Sequence, residues 1–153
     1  MSHLNGQTKQ TLHSRLASRP ILRPPNYDLP FSIAVDASDA AVSAVLFQTV
    51  NGIEHLTCFL SRKLKQSELN YSTIEKEVLA LITAVRVFSV YYGSQLVTVY
   101  TDHRPLEYIN RMKTHNAKLS CWSVALGQYA LLDQHRPGKD NLLPDLLSRP
   151  ATV

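Results

Sequence analysis

The apolar residues of this chain change their spacing once, near residue 72, and that switch constrains the fold more than any other feature. Before it they alternate. In FSIAVDAS, Phe31, Ile33 and Val35 fall on one face and Ser32, Ala34 and Asp36 on the other, the period of a strand. A second β-branched run, VSAVLFQTV, ends at Asn51-Gly52, a dipeptide that favours a tight hairpin turn. The run IEHLTCFLSR follows directly, so the three segments predict an antiparallel meander. After the switch, Ile74, Val78, Leu81, Ile82, Val85 and Phe88 recur at three- and four-residue steps, a helical stripe of about four turns. Ser72 or Thr73 can cap it, and Glu75 and Glu77 lie in its first turns, where acids are favoured. Gly93 closes the helix and LVTVYTD reads as a fourth strand. A helix between the third and fourth strands allows the fourth to run parallel to an earlier one.

Beyond it, a short helix is expected from Pro105 to Ile109 and a longer one over residues 117–128. Tyr129 to Arg136 reads as a fifth strand, Pro137-Gly138 as a turn and Asn141 to Ser148 as a last helix. The expected class is α/β, a mixed five-stranded sheet flanked by helices. Residues 1–30 read as a lead-in, because SRPILRPPNYDLP holds four of the eight prolines, which forbid a continuous helix and favour extended backbone. Ordered structure is expected from Phe31, with the domain over residues 31–150. A chain of 153 residues can bury one core, and 44% hydrophobic with 18% charged residues argues against disorder. No apolar run approaches the roughly 20 residues of a membrane-spanning helix, and MSHLNGQTKQ lacks the apolar stretch of a signal peptide. Cys58 and Cys121 lie far apart without metal-ligand spacing, which reads as two reduced thiols and an intracellular protein.

The net charge is +4 and the pI about 9.2, a balance that favours a polyanionic partner. Its distribution is uneven. Lys9, Arg15, Arg19 and Arg23 against Asp28 make the first thirty residues +3, leaving +1 for the rest. If acids cluster in that body, they need cations. Asp36 falls near the end of strand one and Asp102 closes strand four, so parallel neighbours would bring both outside one sheet edge, where α/β sheets bind ligands. Glu77 lies in the first turns of the long helix, and Asp145 follows Pro144 at the start of the last one. Four converging carboxylates would repel one another strongly. Hard divalent cations with oxygen ligands relieve that, and Mg²⁺ fits. Two such ions about 4 Å apart can activate a water and stabilise the leaving oxygen of a phosphodiester. Taken singly, each acid reads equally as a strand-end cap, a helix-start acid or a surface charge; their joint placement carries the site.

The segments IAVDASD, FLSRKL, NYSTIEKEVLALITAVRVF, VYTDHRPL and HRPGKDNLLPDLLSRP occur in an order and spacing that resembles the ribonuclease H domain of gypsy-type long-terminal-repeat retrotransposons. The resemblance spans about residue 20 to the C-terminus, and ILRPPNYDLPF looks like the tail joining such a domain to reverse transcriptase. It implies a ribonuclease H fold, two Mg²⁺ (or Mn²⁺) ions, and cleavage of the RNA strand of RNA–DNA hybrids to 3′-hydroxyl and 5′-phosphate ends. It also implies a reverse transcriptase domain in the same polyprotein, no membrane partner, and a place in cytoplasm, nucleus or a virus-like particle. By position, the catalytic and metal-binding acids are Asp36, Glu77, Asp102 and Asp145, with Glu75 the main rival to Glu77. His103 adjoins Asp102 and is expected near the scissile region. Lys63, Lys65, Arg104, Arg111, Lys113 and Lys118 are candidate phosphate contacts, each also readable as a solvated charge. Tyr71 and Trp122 read as packing residues, and His135 is given no role.

Four positions depart from the family pattern: Ala41 and Ser43 stand where glycines are usual, Cys121 precedes Trp122 in place of arginine, and Pro144 replaces alanine. None removes a candidate ligand. The alternative to an active nuclease is a catalytically impaired or host-captured module that binds nucleic acid or serves polyprotein architecture; inert copies of such domains lose acids, and this chain keeps four. An integrase-type core would order its acids Asp, Asp, Glu, against Asp, Glu, Asp, Asp here. A pepsin-like protease is excluded, because the chain has no Asp-Thr/Ser-Gly.

Overall fold

The structure, a computed structural model, describes residues 21–135. Strands β1 (Ser32–Ala37), β2 (Ala41–Val50) and β3 (Ile53–Lys63) lead through a 3₁₀ turn at Gln66–Glu68 into helix α1 (Thr73–Tyr92). Strand β4 (Val97–Thr101), helices α2 (Pro105–Met112) and α3 (Ala117–Gly127) and strand β5 (Leu131–His135) follow. The five strands form one sheet in the order β3-β2-β1-β4-β5. β2 pairs antiparallel with β1 and β3, and β4 pairs parallel with β1 and β5. The mixed five-stranded architecture expected from the sequence is therefore the one observed. The predicted turn at Pro137-Gly138 and the last helix, with Asp145, lie outside the described residues.

Local chemistry explains the element ends. Asn51 and Gly52 both take positive φ, 53° and 79°, the backbone of the hairpin turn that matches strand twist. Ser72 caps α1: its hydroxyl accepts the Glu75 N–H at 3.2 Å, and Glu75 Oε1 accepts the Ser72 N–H at 2.9 Å. The helix runs 20 residues, longer than the predicted stripe, because buried Tyr92 carries the apolar face up to Gly93. Gly93 sits at φ 58° and donates its N–H to Ser89 O at 2.8 Å, closing the last turn.

α1 lies across β1 and β2. Val78, Leu81, Val85 and Phe88 pack there against Ile33, Val35, Val42, Ala44 and Leu46 in one core that also takes in Val97 and Val99 of β4. The opposite sheet face carries a smaller cluster of Ala34, Val45, Phe47 and Leu56, edged by Phe59 and Tyr100. The lead-in is fastened to the sheet from Arg23 onward. The Arg23 N–H donates to Leu56 O at 2.7 Å, and the buried Gln48 amide grips Asn26 and Leu29 through three hydrogen bonds of 2.7 to 3.1 Å. Both cysteines are free. Among the described residues, no helix is long and apolar enough to cross a membrane.

Candidate active site

The parallel pairing of β1 with β4 sets the site. Ser32, Ile33 and Ala34 stand opposite Thr98, Val99 and Tyr100, so continuing that register brings Asp36, late in β1, level with Asp102, the residue after β4. Glu77, buried in the second turn of α1, reaches the same edge. Its Oε1 accepts the N–H groups of Asp102 at 3.0 Å and His103 at 3.2 Å, while its Oε2 meets His103 Nδ1 in a short contact. One carboxylate thus holds the whole Asp102–His103 turn. Asp36 accepts the Ala37 N–H at 3.0 Å.

These acids share one electrostatic problem. Burial pushes the Asp36 carboxyl up to about 7, with the charges of Glu77 and Asp102 adding to the rise and His103 opposing it. Burial also raises Glu77, against the lowering pull of His103 and the two backbone donors. Desolvation alone would lower the His103 imidazole, but its bond to Glu77 and the charges of Glu77, Asp102 and Asp36 hold it above the usual histidine value. The edge carries more negative charge than the chain neutralises.

Glu75 belongs elsewhere. It completes the α1 cap and forms an ion pair with Lys118 at 2.9 Å. Burial raises its carboxyl, but the Ser72 N–H and Lys118 outweigh that and hold it below the ordinary range. Lys118 also lies 4.0 Å over the Tyr71 ring and 5.3 Å over Trp122, themselves in edge contact at 5.5 Å. Tyr71 and Trp122 are packing residues of the α1–α3 junction, and Lys118 is already engaged there.

The other basic residues flank the acids on two sides. Lys63 pairs in register with Ala41, and Leu64 N–H donates to Ala40 O at 2.8 Å, so the exposed Lys63 and Lys65 adjoin the turn that follows Asp36. Across the edge, an open cleft of about 260 Å³ is lined by Asp102, His103, Arg104, Tyr108 and Arg111 among others. Arg104 stands at φ 47°, a left-handed backbone that costs a side-chain-bearing residue about 1 kcal/mol or more. Its guanidinium meets Glu107 at 3.7 Å, and Arg111 lies 6.0 Å over the Tyr108 ring. Lys113 is exposed just past α2. Of the departures from the family pattern, Ser43 is buried with its hydroxyl 3.4 Å from Ser61 Oγ, Ala41 is half-buried and Cys121 is exposed.

A residue absent from the sequence reading is Asp133. It occupies an inward position of β5, beside Leu131 and between exposed Leu132 and Gln134. An acid at an inward step of a strand is the signal that could have found it.

This arrangement is that of a ribonuclease H-type domain, and comparison with known proteins agrees. Residues 26–129 match the family described as the RNase H-like domain found in reverse transcriptase. The chain belongs to that family. It is 40% identical to the retrovirus-related Pol polyprotein from transposon opus of Drosophila melanogaster, over 94% of this chain and 14% of that protein. It is 37% identical to the Pol polyprotein from transposon gypsy of the same fly, over 92% of this chain and 13% of that protein. The chain therefore spans about one seventh of the length of these relatives. Among solved structures, it resembles a foamy viral protease–reverse transcriptase in complex with an RNA/DNA hybrid (TM-score 0.64, 17% identity, 86% of this chain and 18% of that one). It also resembles RNase H1 from the archaeon Halobacterium salinarum (TM-score 0.50, 16% identity, 77% and 93%). At these identities the structures speak for the fold.

The fold implies divalent metal ions, and the donor set can be tested for them. Asp36, Glu77 and Asp102 offer only carboxylate oxygens, which suit a hard cation, and the raised Asp36 carboxyl marks negative charge in need of one. Among the described residues, however, no three potential ligands stand close enough together to hold an ion. Both Glu77 oxygens face the Asp102–His103 turn. The residues fit a hard divalent cation in their chemistry, all three offering carboxylate oxygens, and one Glu77 oxygen is taken up by His103.

Proposed function

We propose that this domain is a metal-dependent endonuclease that hydrolyses the RNA strand of RNA–DNA hybrids, within a retroelement polyprotein that also carries reverse transcriptase. The observation that carries the reading is the placement of Asp36, Glu77 and Asp102 at one sheet edge, where the parallel β1–β4 pair ends, with basic side chains on either flank. Its membership of the reverse-transcriptase RNase H-like family supports it. So does the foamy viral relative in fold, whose structure was solved with an RNA/DNA hybrid.

Asp36, Glu77 and Asp102, with Asp145 as a fourth acid, would hold one or two Mg²⁺ or Mn²⁺ ions. When bound, these supply water activation and charge stabilisation at the phosphodiester. A water oxygen bonds to phosphorus, the bond to the 3′ oxygen breaks, and that oxygen takes up a proton, giving 3′-hydroxyl and 5′-phosphate ends. The chain's own part is placement. Glu77 fixes the turn that carries Asp102, and His103 competes for the same carboxylate until a cation is held. Lys63 and Lys65 on one side and Arg104 and Arg111 on the other bind backbone phosphates, while contacts to 2′-hydroxyls identify the RNA strand.

The test is incubation of the full chain with an end-labelled RNA–DNA hybrid in Mg²⁺ and in Mn²⁺, beside Asp36→Asn. Cutting of the RNA strand alone, lost in the variant, is the expected result. A folded chain that cuts in neither metal removes the nuclease reading for the isolated domain. The engagement of Glu77 by His103 favours one second reading, a module that binds hybrid without cutting it. Hybrid affinity in the same samples separates it from a chain with no nucleic-acid role.

A further inference from the structure

Asp133 is a half-buried carboxylate, its Oδ2 fully buried, that the proposed chemistry does not use. The alternation of β5 calls for an apolar side chain at this position, since Leu131, two residues earlier, packs on the main core. Burial of an acid there is costly, and it raises the Asp133 carboxyl. What the carboxylate touches explains its presence. Oδ1 accepts the hydroxyl of Thr101, the last residue of β4, at 3.2 Å. The N–H groups of Leu106 and Glu107, in the first turn of α2, lie near enough to favour the charged form, although buried Oδ2 closes no hydrogen bond of ordinary length among the described residues. α2 needs such an anion. Its N-cap residue is Arg104, in left-handed backbone with no side-chain cap of its own.

Thr101 and Leu106 are the two ends of the turn that carries Asp102, His103 and the strained Arg104. We propose that Asp133 is a positioning residue: a half-buried carboxylate set between the end of β4, which it bonds, and the start of α2, which it faces, that so fixes the Asp102–His103 turn at the candidate active site. Glu77 holds the middle of this turn from α1, while Asp133 bonds its β4 end from β5 and faces the first N–H groups of α2 at the other. The idea builds on the nuclease reading for its functional consequence, but the restraint itself is read from the Thr101 hydrogen bond and from the place of the carboxylate beside the first N–H groups of α2.

Amide hydrogen exchange and kinetics on the full chain test it together. In Asp133→Ala, the amides of Asp102, His103 and Leu106 should exchange about tenfold faster than in the parent, with those of Leu81 and Val85 in α1 unchanged. The conservative Asp133→Asn, which keeps an acceptor, should restore most of the protection. For hybrid cleavage, Asp133→Ala should lower kcat about tenfold and raise KM less, since of the proposed phosphate contacts only Arg104 rides on the loosened turn. Asp133→Leu fills the strand position with the apolar side chain the pattern calls for, so it keeps the fold and should show the same local loosening. Exchange that rises evenly through the molecule, or a turn as protected in Asp133→Ala and Asp133→Leu as in the parent, overturns the proposal. If the parent chain cuts no hybrid, the exchange pattern still decides the role of Asp133, and only the nuclease reading falls.

Discussion

Asp36 is a carboxylate that its own fold disfavours when charged. Unfolded, it ionises near 3.8; folded, burial and the neighbouring Glu77 move that to about 7. The sign of the consequence follows from linkage. Below the unfolded value both states are protonated and the site costs nothing. As pH rises from there to about 7 the unfolded chain gives up the proton that the folded chain keeps, so stability falls across that interval and the loss is complete above it. Asp36→Asn should therefore melt higher than the parent at pH 8, with the gap narrowing steadily below pH 7 and closing only below the unfolded value of 3.8. A gap independent of pH would mean that the charge is not what strains the site. Divalent cation should reverse the order. Mn²⁺ that binds only the folded parent raises its melting temperature and leaves Asp36→Asn unmoved. The residues involved were unequally legible. Strand alternation and parallel pairing point to Asp36 and Asp102 without coordinates. Glu75 and Glu77 looked interchangeable, yet Ser72-Thr73-Ile74-Glu75 is a capping-box spacing that already assigns Glu75 to the helix start. The grip of His103 on Glu77 joins residues 26 apart, and no local rule reveals it.

At the scale of elements, the sequence specified the helices and strands better than their junctions. β5 begins at Leu131 rather than Tyr129, because the Tyr129 N–H turns back to Leu126 O at 3.1 Å to finish the exit from α3. α2 continues past Ile109 to Met112, with Arg111 in its last turn where a cation is favoured. The α1–α3 junction changes the reading of Lys118 most. From sequence it was one phosphate contact among several; in the fold it is clamped between Glu75 and the Tyr71 and Trp122 rings. Lys118→Met keeps the stem over the rings and removes the charge. It should cost about 1 kcal/mol in urea unfolding, the sum of a modest ion pair and a partly exposed cation–π contact. Hybrid affinity should stay within about twofold of the parent. Weakened hybrid binding with unchanged stability would return Lys118 to the phosphate surface.

For the molecule as a whole, the question is how a domain with an acidic centre attracts a polyanion. The answer lies in the arrangement of charge more than in its sum. Lys63 and Lys65 stand at one side of the carboxylates and Arg104 and Arg111 at the other, so phosphate backbones can be held on the flanks while the centre awaits cations. This pattern was legible only in part. The basic residues are scattered in sequence, and the strand order that gathers them comes from pairings between distant segments. Much of the chain's excess charge, moreover, lies in the first thirty residues, largely ahead of the described ones. Salt dependence separates the flanks from the rest. Each phosphate contact releases counterions, so the slope of log affinity against log salt counts contacts at about 0.9 per phosphate on a duplex. Lys63→Ala combined with Lys65→Ala should make that slope shallower by about two. Arg86→Ala, an equal loss of charge per residue at an exposed site midway along α1, should leave it unchanged. If Arg86→Ala reduces the slope as much per charge removed as the lysine pair, the chain attracts hybrid through net charge alone, and the flanking arrangement has no part in binding.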